Sequence, residues 1–202
     1  MPIFFQQQIN PSTRLGVWKI EETEEFFKDN VPQHRDVTHP HKRLQHLAGR
    51  FLLRYLYPDF PYELIRIADT RKPFLPDAQY HFSISHCGDY AAALVSRDLR
   101  TGVDAEIPVA RIERIASKFT TPEERAVFGS EPGVRGLTTI WSIKEAVYKW
   151  YGDGEVDFKA HIRLLERDAD AGRVRCLFTK NNTSLDLYYR HFDHLVLAWV
   201  VS

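Results

Sequence analysis

The strongest constraint on the fold is that the chain repeats one order of elements, a long amphipathic helix followed by short strands. From Pro40 to Tyr57 the apolar residues recur at intervals of three and four, which predicts a helix with proline in its first turn. A second helix is predicted from Arg135 to Tyr151 and closed by Gly152. This order predicts an α+β fold of two similar halves, each a helix packed on a small, mostly antiparallel sheet.

Local signals predict the other elements. LGVWKI at 15–20 is typical of a strand, the acidic segment 21–29 suits a short helix, and Thr121-Pro122-Glu123-Glu124 predicts a capped helix start. The remaining predicted strands are Tyr62–Ile67, Tyr80–Ser85, Tyr90–Val95, Gly102–Ile107, His161–Leu165, Arg173–Phe178, Leu185–Tyr189 and Leu195–Val201. No flexible linker interrupts the chain, so we expect halves 1–105 and 106–202 to pack tightly.

Composition limits the classes of function. The 202 residues include 27 basic and 27 acidic side chains, which argues against general nucleic-acid binding and requires any anionic ligand to be held by a local basic cluster. The start, MPIFFQQQIN, lacks the features of a secretory signal, and no apolar run approaches the roughly 20 residues of a membrane helix. We expect a soluble, cytoplasmic protein. Cys87 and Cys176 have neither disulfide nor zinc spacing and are expected to be buried thiols.

Two acidic residues stand out in Gly102-Val103-Asp104-Ala105-Glu106. Residues two apart on a strand point to one face, so Asp104 and Glu106 would present adjacent carboxylates. Oxygen ligands of this kind suit Mg²⁺ together with phosphate oxygens. A solvated edge strand with two exposed acids remains the alternative.

Two further segments carry polar groups. In Trp141-Ser142-Ile143-Lys144-Glu145-Ala146-Val147-Tyr148-Lys149, residues Trp141, Glu145 and Lys149 share one helix face, although a surface ion pair beside a core tryptophan would also explain them. Ser85 and His86 end a predicted strand before Gly88-Asp89, and with Lys72 they could bind an anion. Ordinary turn chemistry is the alternative there.

Taken in order, Ser-His, Gly-Val-Asp-x-Glu and Trp-Ser-x-Lys-Glu-Ala-x-x-Lys resemble the motif set of the 4′-phosphopantetheinyl transferase superfamily, in its longer single-chain form. The resemblance covers roughly residues 40 to 160. It implies a pseudo-dimer of two α/β halves with coenzyme A at their junction. It also implies transfer of the 4′-phosphopantetheine group of coenzyme A to a serine of an acyl or peptidyl carrier protein, with release of 3′,5′-ADP.

The resemblance also implies residue roles. Asp104, Glu106 and Glu145 take the positions of Mg²⁺ ligands, and Lys149 that of a residue contacting the coenzyme A phosphates. Asp104, Glu145 and Lys149 form the catalytic set. Glu145, or a water on the metal held by Glu106 or Glu145, is the candidate base that takes the serine proton.

The coenzyme contacts implied by the resemblance are Lys72, Ser85 and His86. Relatives often have Gly-Lys-Pro where this chain has Arg71-Lys72-Pro73, so either the turn differs or Arg71 adds a phosphate contact. Further basic candidates are Arg35, Lys42 and Arg43, which the resemblance does not align residue by residue.

A carrier protein is usually acidic around its modified serine, so a basic docking surface is expected. Arg111, Arg114 and Lys118 could line one face of a helix after the Asp104 strand, or simply form a solvated face. The histidines at 34, 39, 41 and 46 do not place three imidazoles on one helix face, so we do not expect them to bind a metal.

Two rival functions remain open from the sequence. Another Mg²⁺-dependent phosphoryl enzyme could use the same acids, and a binding module for coenzyme A or carrier protein could keep the fold without catalysis. We expect a monomeric enzyme that binds neither nucleic acid nor membrane. The sequence identifies neither the carrier protein and its pathway nor the tolerance for acyl-coenzyme A.

Overall fold

The computed structural model describes residues 3–32, 36–129 and 131–202. The chain divides into two units, residues 1–103 and 104–202, each with its own internal contacts. Each unit contains a sheet with helices, so the predicted α+β class with mostly antiparallel strands is confirmed.

The first unit is built on a four-stranded antiparallel sheet. Its elements, in chain order, are β1 (Ile3–Asn10), β2 (Thr13–Lys19), α1 (Glu24–Lys28), α2 (Pro40–Leu56), a 3-10 helix (Tyr62–Leu64), β3 (Arg66–Ile67), β4 (Pro73–Phe74), β5 (His81–Cys87) and β6 (Tyr90–Ser96). The sheet has the order β1-β2-β6-β5, and β3 pairs with β4 in a separate ribbon. Strands β5 and β6 form a hairpin in which Cys87 pairs with Tyr90. Its two-residue turn uses a positive φ of 48° at Gly88, a conformation typical of tight hairpins.

Helix α2 lies on this sheet and buries its apolar face there. The side chains of Leu52 and Leu56 approach Gly16 of β2, where a Cβ atom would lie 3.2 and 3.1 Å from them. A Cβ atom at Gly49 would lie 2.7 Å from Cγ2 of Ile84 on β5. The helix therefore passes close to β5 one residue before Ser85.

The second unit combines three helices with a five-stranded sheet. Its elements are β7 (Thr101–Glu106), which contains the boundary between the units, α3 (Arg111–Phe119), α4 (Pro122–Val127), α5 (Gly133–Tyr151), β8 (Ile162–Asp168), β9 (Arg173–Phe178), β10 (Thr183–His191) and β11 (Val196–Val201). The sheet order is β7-β11-β10-β9-β8, and β8 to β11 pair as antiparallel neighbours. Helix α5 packs its apolar residues on this sheet.

The helix boundaries follow from caps that are visible in the sequence. Thr121 and Glu124 form a complete capping box at the start of α4, as predicted. Gly152 closes α5 with a φ of 82°, the left-handed conformation that glycine adopts without a Cβ clash. The predicted helix over residues 40 to 57 is likewise confirmed by α2.

Some predicted boundaries were wrong. The segment Tyr62–Ile67 is not one strand: Tyr62–Leu64 forms a turn of 3-10 helix, and only Arg66–Ile67 is extended. Tyr62 is fully buried and its hydroxyl donates to the Phe51 carbonyl, so packing against α2 overrides the β propensity of this run. Strand β1 was not predicted, because its IFFQQQIN sequence lacks regular alternation of apolar and polar residues.

Two further features are the hydropathy of the helices and the state of the cysteines. None of the helices in the described parts of the chain combines the length and the hydropathy needed to span a membrane. Both cysteines are free thiols: Cys176 is buried, as predicted, whereas Cys87 is only partly buried.

The close approach at Gly49 gives a stability prediction. Alanine is favoured over glycine inside a helix by about 1 kcal/mol, but overpacking of a core contact costs about 1 to 3 kcal/mol. We therefore expect Gly49→Ala to lower the free energy of unfolding in urea by about 1 kcal/mol, because a Cβ 2.7 Å from Ile84 forces the helix or the strand to shift.

The matched control is the same substitution in an Ile84→Ala background, where the obstructing methyl group is gone. There Gly49→Ala should be neutral or stabilising. An equal loss of stability in both backgrounds would show that the contact with Ile84 is not the cause.

Candidate functional site

Asp104 is a buried carboxylate near the end of β7. The residue is 3% exposed, and burying a charge costs free energy unless an opposite charge compensates it. The compensating group is Lys149 on α5, whose Nζ donates to Oδ1 of Asp104 over 2.7 Å. The structure thus brings together two residues that the sequence placed 45 positions apart.

Glu145 lies one helical turn before Lys149 and is partly buried. Burial is the main reason that the pKa of its carboxyl is raised to about 7; the negative charges of Asp104 and Glu106 contribute to the rise, and Lys149 opposes it. The carboxyls of Asp104 and Glu106 are therefore near enough to Glu145 to act on its charge. A carboxyl with a pKa near neutrality can both accept and release a proton under physiological conditions.

The carboxyls of Asp104, Glu106 and Glu145 supply some of the oxygen ligands that a hard cation such as Mg²⁺ requires. The described residues contain no group of three His, Cys, Asp or Glu side chains that could hold a metal ion by itself. Mg²⁺, however, commonly binds through one or two carboxylates together with waters and substrate phosphates. A divalent cation would also relieve the repulsion that raises the pKa of Glu145.

Aromatic packing fixes the helix that carries these groups. Trp141 packs on Phe119 with ring centroids 5.2 Å apart and on Phe158 with centroids 5.4 Å apart. Tyr148 reaches the same Phe158 ring at 6.0 Å. Trp141 and Tyr148 therefore pack α5 against its neighbours.

Lys144 is the motif residue that does not join the acidic cluster. It is fully buried, and its Nζ donates to both carboxylate oxygens of Glu124, 2.7 and 2.8 Å away. The sequence did not predict this pair, because the partners belong to different helices.

Ser83 supports the strand that carries Asp104. Its hydroxyl accepts the backbone N–H of Val103 over 3.0 Å, and both residues are buried. The contact fixes the backbone immediately before Asp104.

Ser85 and His86 end β5, next to the Gly88-Asp89 turn. Ser85 is buried and His86 is exposed. The first turns of α2 contact that same turn, because Gln45 Nε2 donates to the Gly88 carbonyl over 2.7 Å and His41 Nε2 lies 3.2 Å from Oδ1 of Asp89. The start of α2 and the end of β5 therefore form one polar surface in the first unit.

Arg50 is a candidate functional residue that the sequence did not reveal. It is 3% exposed, and burial lowers the pKa of its guanidinium to about 10. Among the described residues it forms no ion pair, and its Nη1 has no hydrogen-bond partner. A buried cation without a counter-charge indicates a place for an anionic ligand. The available signal was an arginine between Leu47 and Leu53, in the middle of an apolar helix stripe.

The predicted contacts Arg71 and Lys72 lie in the turn before β4. Arg71 has a φ of 67°, the left-handed region that glycine adopts most easily, so the turn keeps a glycine-type conformation although glycine is absent. Burial lowers the pKa of His81, the first residue of β5, and the positive charges of Arg100 and Lys72 contribute to the same shift. Lys72 thus lies near the start of β5, whereas Ser85 and His86 lie near the end of that strand.

The other basic candidates differ in their surroundings. Arg43 donates to the Glu24 carboxylate over 2.7 and 2.8 Å. It also donates to the carbonyls of Val37 and Thr38, so it holds the segment before α2 in place. Lys42 is exposed. Arg35 and His34 lie outside the described residues, and His39 caps α2 by accepting the Lys42 N–H.

The predicted docking residues Arg111, Arg114 and Lys118 are all exposed on α3. The same helix borders a cavity of about 150 Å³ in the second unit. Its lining includes Glu106, Val109, Ile112, Ile115 and Trp141. Basic groups and an apolar recess therefore lie close to one of the three clustered carboxyls.

Comparison with known proteins agrees with this arrangement. A model of the 4′-phosphopantetheinyl transferase superfamily matches residues 100–200, which contain the whole acidic cluster. The chain is 34% identical over 122 residues to enterobactin synthase component D of Salmonella austin, covering 55% of this chain and 49% of the relative.

Two further relatives show similar coverage. Identity is 32% over 114 residues to enterobactin synthase component D of Escherichia coli K12, covering 54% of each chain. It is 30% over 116 residues to 4′-phosphopantetheinyl transferase AcpT of E. coli O157:H7, covering 55% of this chain and 59% of the relative. The matched region thus spans about half the length of these curated relatives.

The contact between Ser83 and Val103 leads to a prediction. Ser83→Ala leaves a buried N–H without its acceptor, so we expect the free energy of unfolding to fall by about 1 to 3 kcal/mol. Chemical denaturation followed by circular dichroism measures the change. Ser184→Ala, an exposed serine in β10, is the control and should change stability little. Equal effects of the two substitutions would contradict a supporting role for Ser83.

Proposed function

Because the chain belongs to the 4′-phosphopantetheinyl transferase superfamily, we propose that it moves the 4′-phosphopantetheine group of coenzyme A onto a serine of an acyl or peptidyl carrier protein. The reaction would release 3′,5′-ADP and convert the carrier from its apo to its holo form. The observation that supports this most is the coupled set Asp104, Glu106, Glu145 and Lys149 within the matched segment.

The carboxylates suit a Mg²⁺ site shared with the substrate. Asp104, Glu106 and Glu145 are the residues that would hold the ion, with the coenzyme A diphosphate supplying further oxygens. When bound, Mg²⁺ would neutralise negative charge on the phosphoryl groups.

Glu145 is the proposed general base. Its carboxylate form would take the proton of the carrier serine. The serine oxygen then bonds to the β-phosphorus of coenzyme A, and the bond between that phosphorus and the 3′,5′-ADP oxygen breaks. Lys149, which contacts Asp104 in the structure, is proposed to contact the diphosphate and to stabilise the leaving group.

The first unit would supply the remaining phosphate contacts. The hydroxyl of Ser85 and the imidazole of His86 are suitable donors, and Lys72 and Arg71 provide cations. We add Arg50, because its buried guanidinium has no counter-charge among the described residues. Clusters of this kind hold phosphates through charge-assisted hydrogen bonds.

The carrier protein would dock on α3. Arg111, Arg114 and Lys118 expose positive charge there, and the adjacent cavity offers apolar surface. An acidic carrier surface is complementary to such a face. We expect one chain to be sufficient for activity, since all the proposed groups lie on a single polypeptide.

The first test is intact-mass spectrometry of an apo acyl carrier protein incubated with the chain, coenzyme A and Mg²⁺. The native chain should add one phosphopantetheine group. Glu145→Ala should slow transfer by about 100-fold or more, because it removes the base and one carboxylate of the ion site.

Asp170→Ala provides a control, since it removes an exposed acid in the turn between β8 and β9, away from the cluster and from α3. It should transfer at close to the native rate. Absence of any mass gain across several carrier proteins would overturn the proposed function in favour of a binding module. Phosphate release from coenzyme A without a carrier would instead favour a hydrolase.

A second test concerns Arg50. Arg50→Met removes a buried cation while keeping an extended apolar side chain, so we expect the free protein to gain about 2 kcal/mol in its free energy of unfolding. The same variant should bind coenzyme A about tenfold or more weakly, because a charge-assisted contact is lost. Calorimetric titration and thermal unfolding measure the two effects.

Arg54→Met is the control one helical turn later. Arg54 is exposed, and its guanidinium lies 5.6 Å from the centroid of the Tyr62 ring. It should leave the affinity for coenzyme A unchanged. A loss of stability in Arg50→Met with unchanged affinity would show that Arg50 serves the fold alone.

A further inference from the structure

The second unit contains an ion pair that is shielded from water. The side chain of Lys144 is 0% exposed and that of Glu124 is 6% exposed. Nζ of Lys144 lies 2.7 and 2.8 Å from the two carboxylate oxygens. Burial of both charges is costly, and such pairs persist only where geometry and additional hydrogen bonds are favourable.

Every proton of the Lys144 ammonium can reach an acceptor. Besides Glu124, it donates to the carbonyl of Phe158 over 2.8 Å and to that of Ile162 over 2.9 Å. Glu124 in turn accepts the N–H groups of Leu164 at 3.1 Å and Thr121 at 3.0 Å. The pair therefore ties together the start of α4, the middle of α5, the loop before β8 and β8 itself.

This anchoring is more specific than stability alone requires. Apolar side chains of similar volume often replace a buried ion pair without loss of stability, so such a pair contributes mainly by fixing one arrangement. Four fixed acceptors around one ammonium define both the rotation of α5 about its axis and its position along that axis.

Lys144 directly precedes Glu145 in the helix. Consecutive helical residues point about 100° apart, so anchoring Lys144 on one side determines where Glu145 points on the adjacent side. The loop is held at the same place, because Phe158 accepts from Lys144 through its carbonyl while its ring packs on Trp141 and Tyr148. Lys149 then meets Asp104 at 2.7 Å.

We propose that Lys144 and Glu124 are positioning residues, which hold α5 so that Glu145 and Lys149 meet Asp104 in the arrangement needed for group transfer. The inference rests on the proposed transferase function for its kinetic consequences. Its geometric consequence, the contact between Lys149 and Asp104, can be tested without any activity.

The test uses the double variant Glu124→Leu/Lys144→Met beside the single variant Lys144→Met. The single variant leaves Glu124 buried and unpaired, so it should unfold at a lower temperature than the native chain. The double variant removes both charges, so its unfolding temperature should return to near the native value. Stability and positioning are thereby separated.

In the double variant we expect kcat for transfer to carrier protein to fall by about 100-fold, because a displacement near 1 Å of catalytic groups has effects of that size. KM for coenzyme A should change less than about threefold, since the contacts of the first unit remain. A crystal structure of the double variant should show Lys149 Nζ and Asp104 Oδ1 beyond about 3.5 Å, outside hydrogen-bond reach.

The control is Glu166→Leu/Arg175→Met, which removes an exposed ion pair of 3.2 Å from neighbouring strands of the same unit. It should keep native kcat and the native contact. Native kcat in the stable Glu124→Leu/Lys144→Met variant would overturn the proposal and leave the pair a purely structural role. If the native chain itself transfers nothing, the proposed function fails. The positioning proposal is then decided by the crystal structure of the double variant alone, and an unchanged contact between Lys149 and Asp104 overturns that proposal.

Discussion

The ion pair between Asp104 and Lys149 joins the end of β7 to α5, and the arrangement of the candidate site depends on it. Asp104 is 3% exposed, so its carboxylate needs the ammonium 2.7 Å away. Glu145 and Glu106 lie in the same region, and burial together with the charges of Asp104 and Glu106 raises the pKa of Glu145 to about 7. A carboxyl with a raised pKa beside other carboxyls and a lysine is typical of a functional site.

The candidate groups of the two units carry charges of opposite sign. In the second unit one buried and two partly buried carboxyls suit a cation and a proton acceptor. In the first unit Arg50 is a buried positive charge without a counter-charge among the described residues, and the end of β5 presents a hydroxyl and an imidazole. Both arrangements also cost stability in the free protein, as is common where a site must later accept charge.

Local signals were sufficient to predict the main helices and most of the strands. Pro40, Thr121 and Gly152 specify helix ends through their own backbone chemistry, so these boundaries could be read directly. Alternation on β7 and four-residue spacing on α5 correctly placed Asp104, Glu106, Glu145 and Lys149 on two elements. That these residues lie close together could be expected only from the family resemblance, because no local pattern encodes a contact over 45 residues.

The sequence did not reveal Arg50 or the pair of Lys144 with Glu124, for the same reason. A charged residue in an apolar stripe does not show whether its partner is a neighbouring helix or a ligand. Tyr62–Ile67 was misassigned because burial of Tyr62 under α2 overrode local propensity.

The proposed function requires the carboxylates of the second unit to act on coenzyme A through a divalent cation. Calorimetric titration of coenzyme A into the native chain, with Mg²⁺ and with the chelator EDTA, tests this most directly. We expect one coenzyme A to bind per chain and its affinity to fall clearly when Mg²⁺ is removed, because the diphosphate would then meet the carboxylates without a cation between them. Equal affinity with and without the ion would contradict a metal role for Asp104, Glu106 and Glu145, and no binding under either condition would contradict coenzyme A as the ligand.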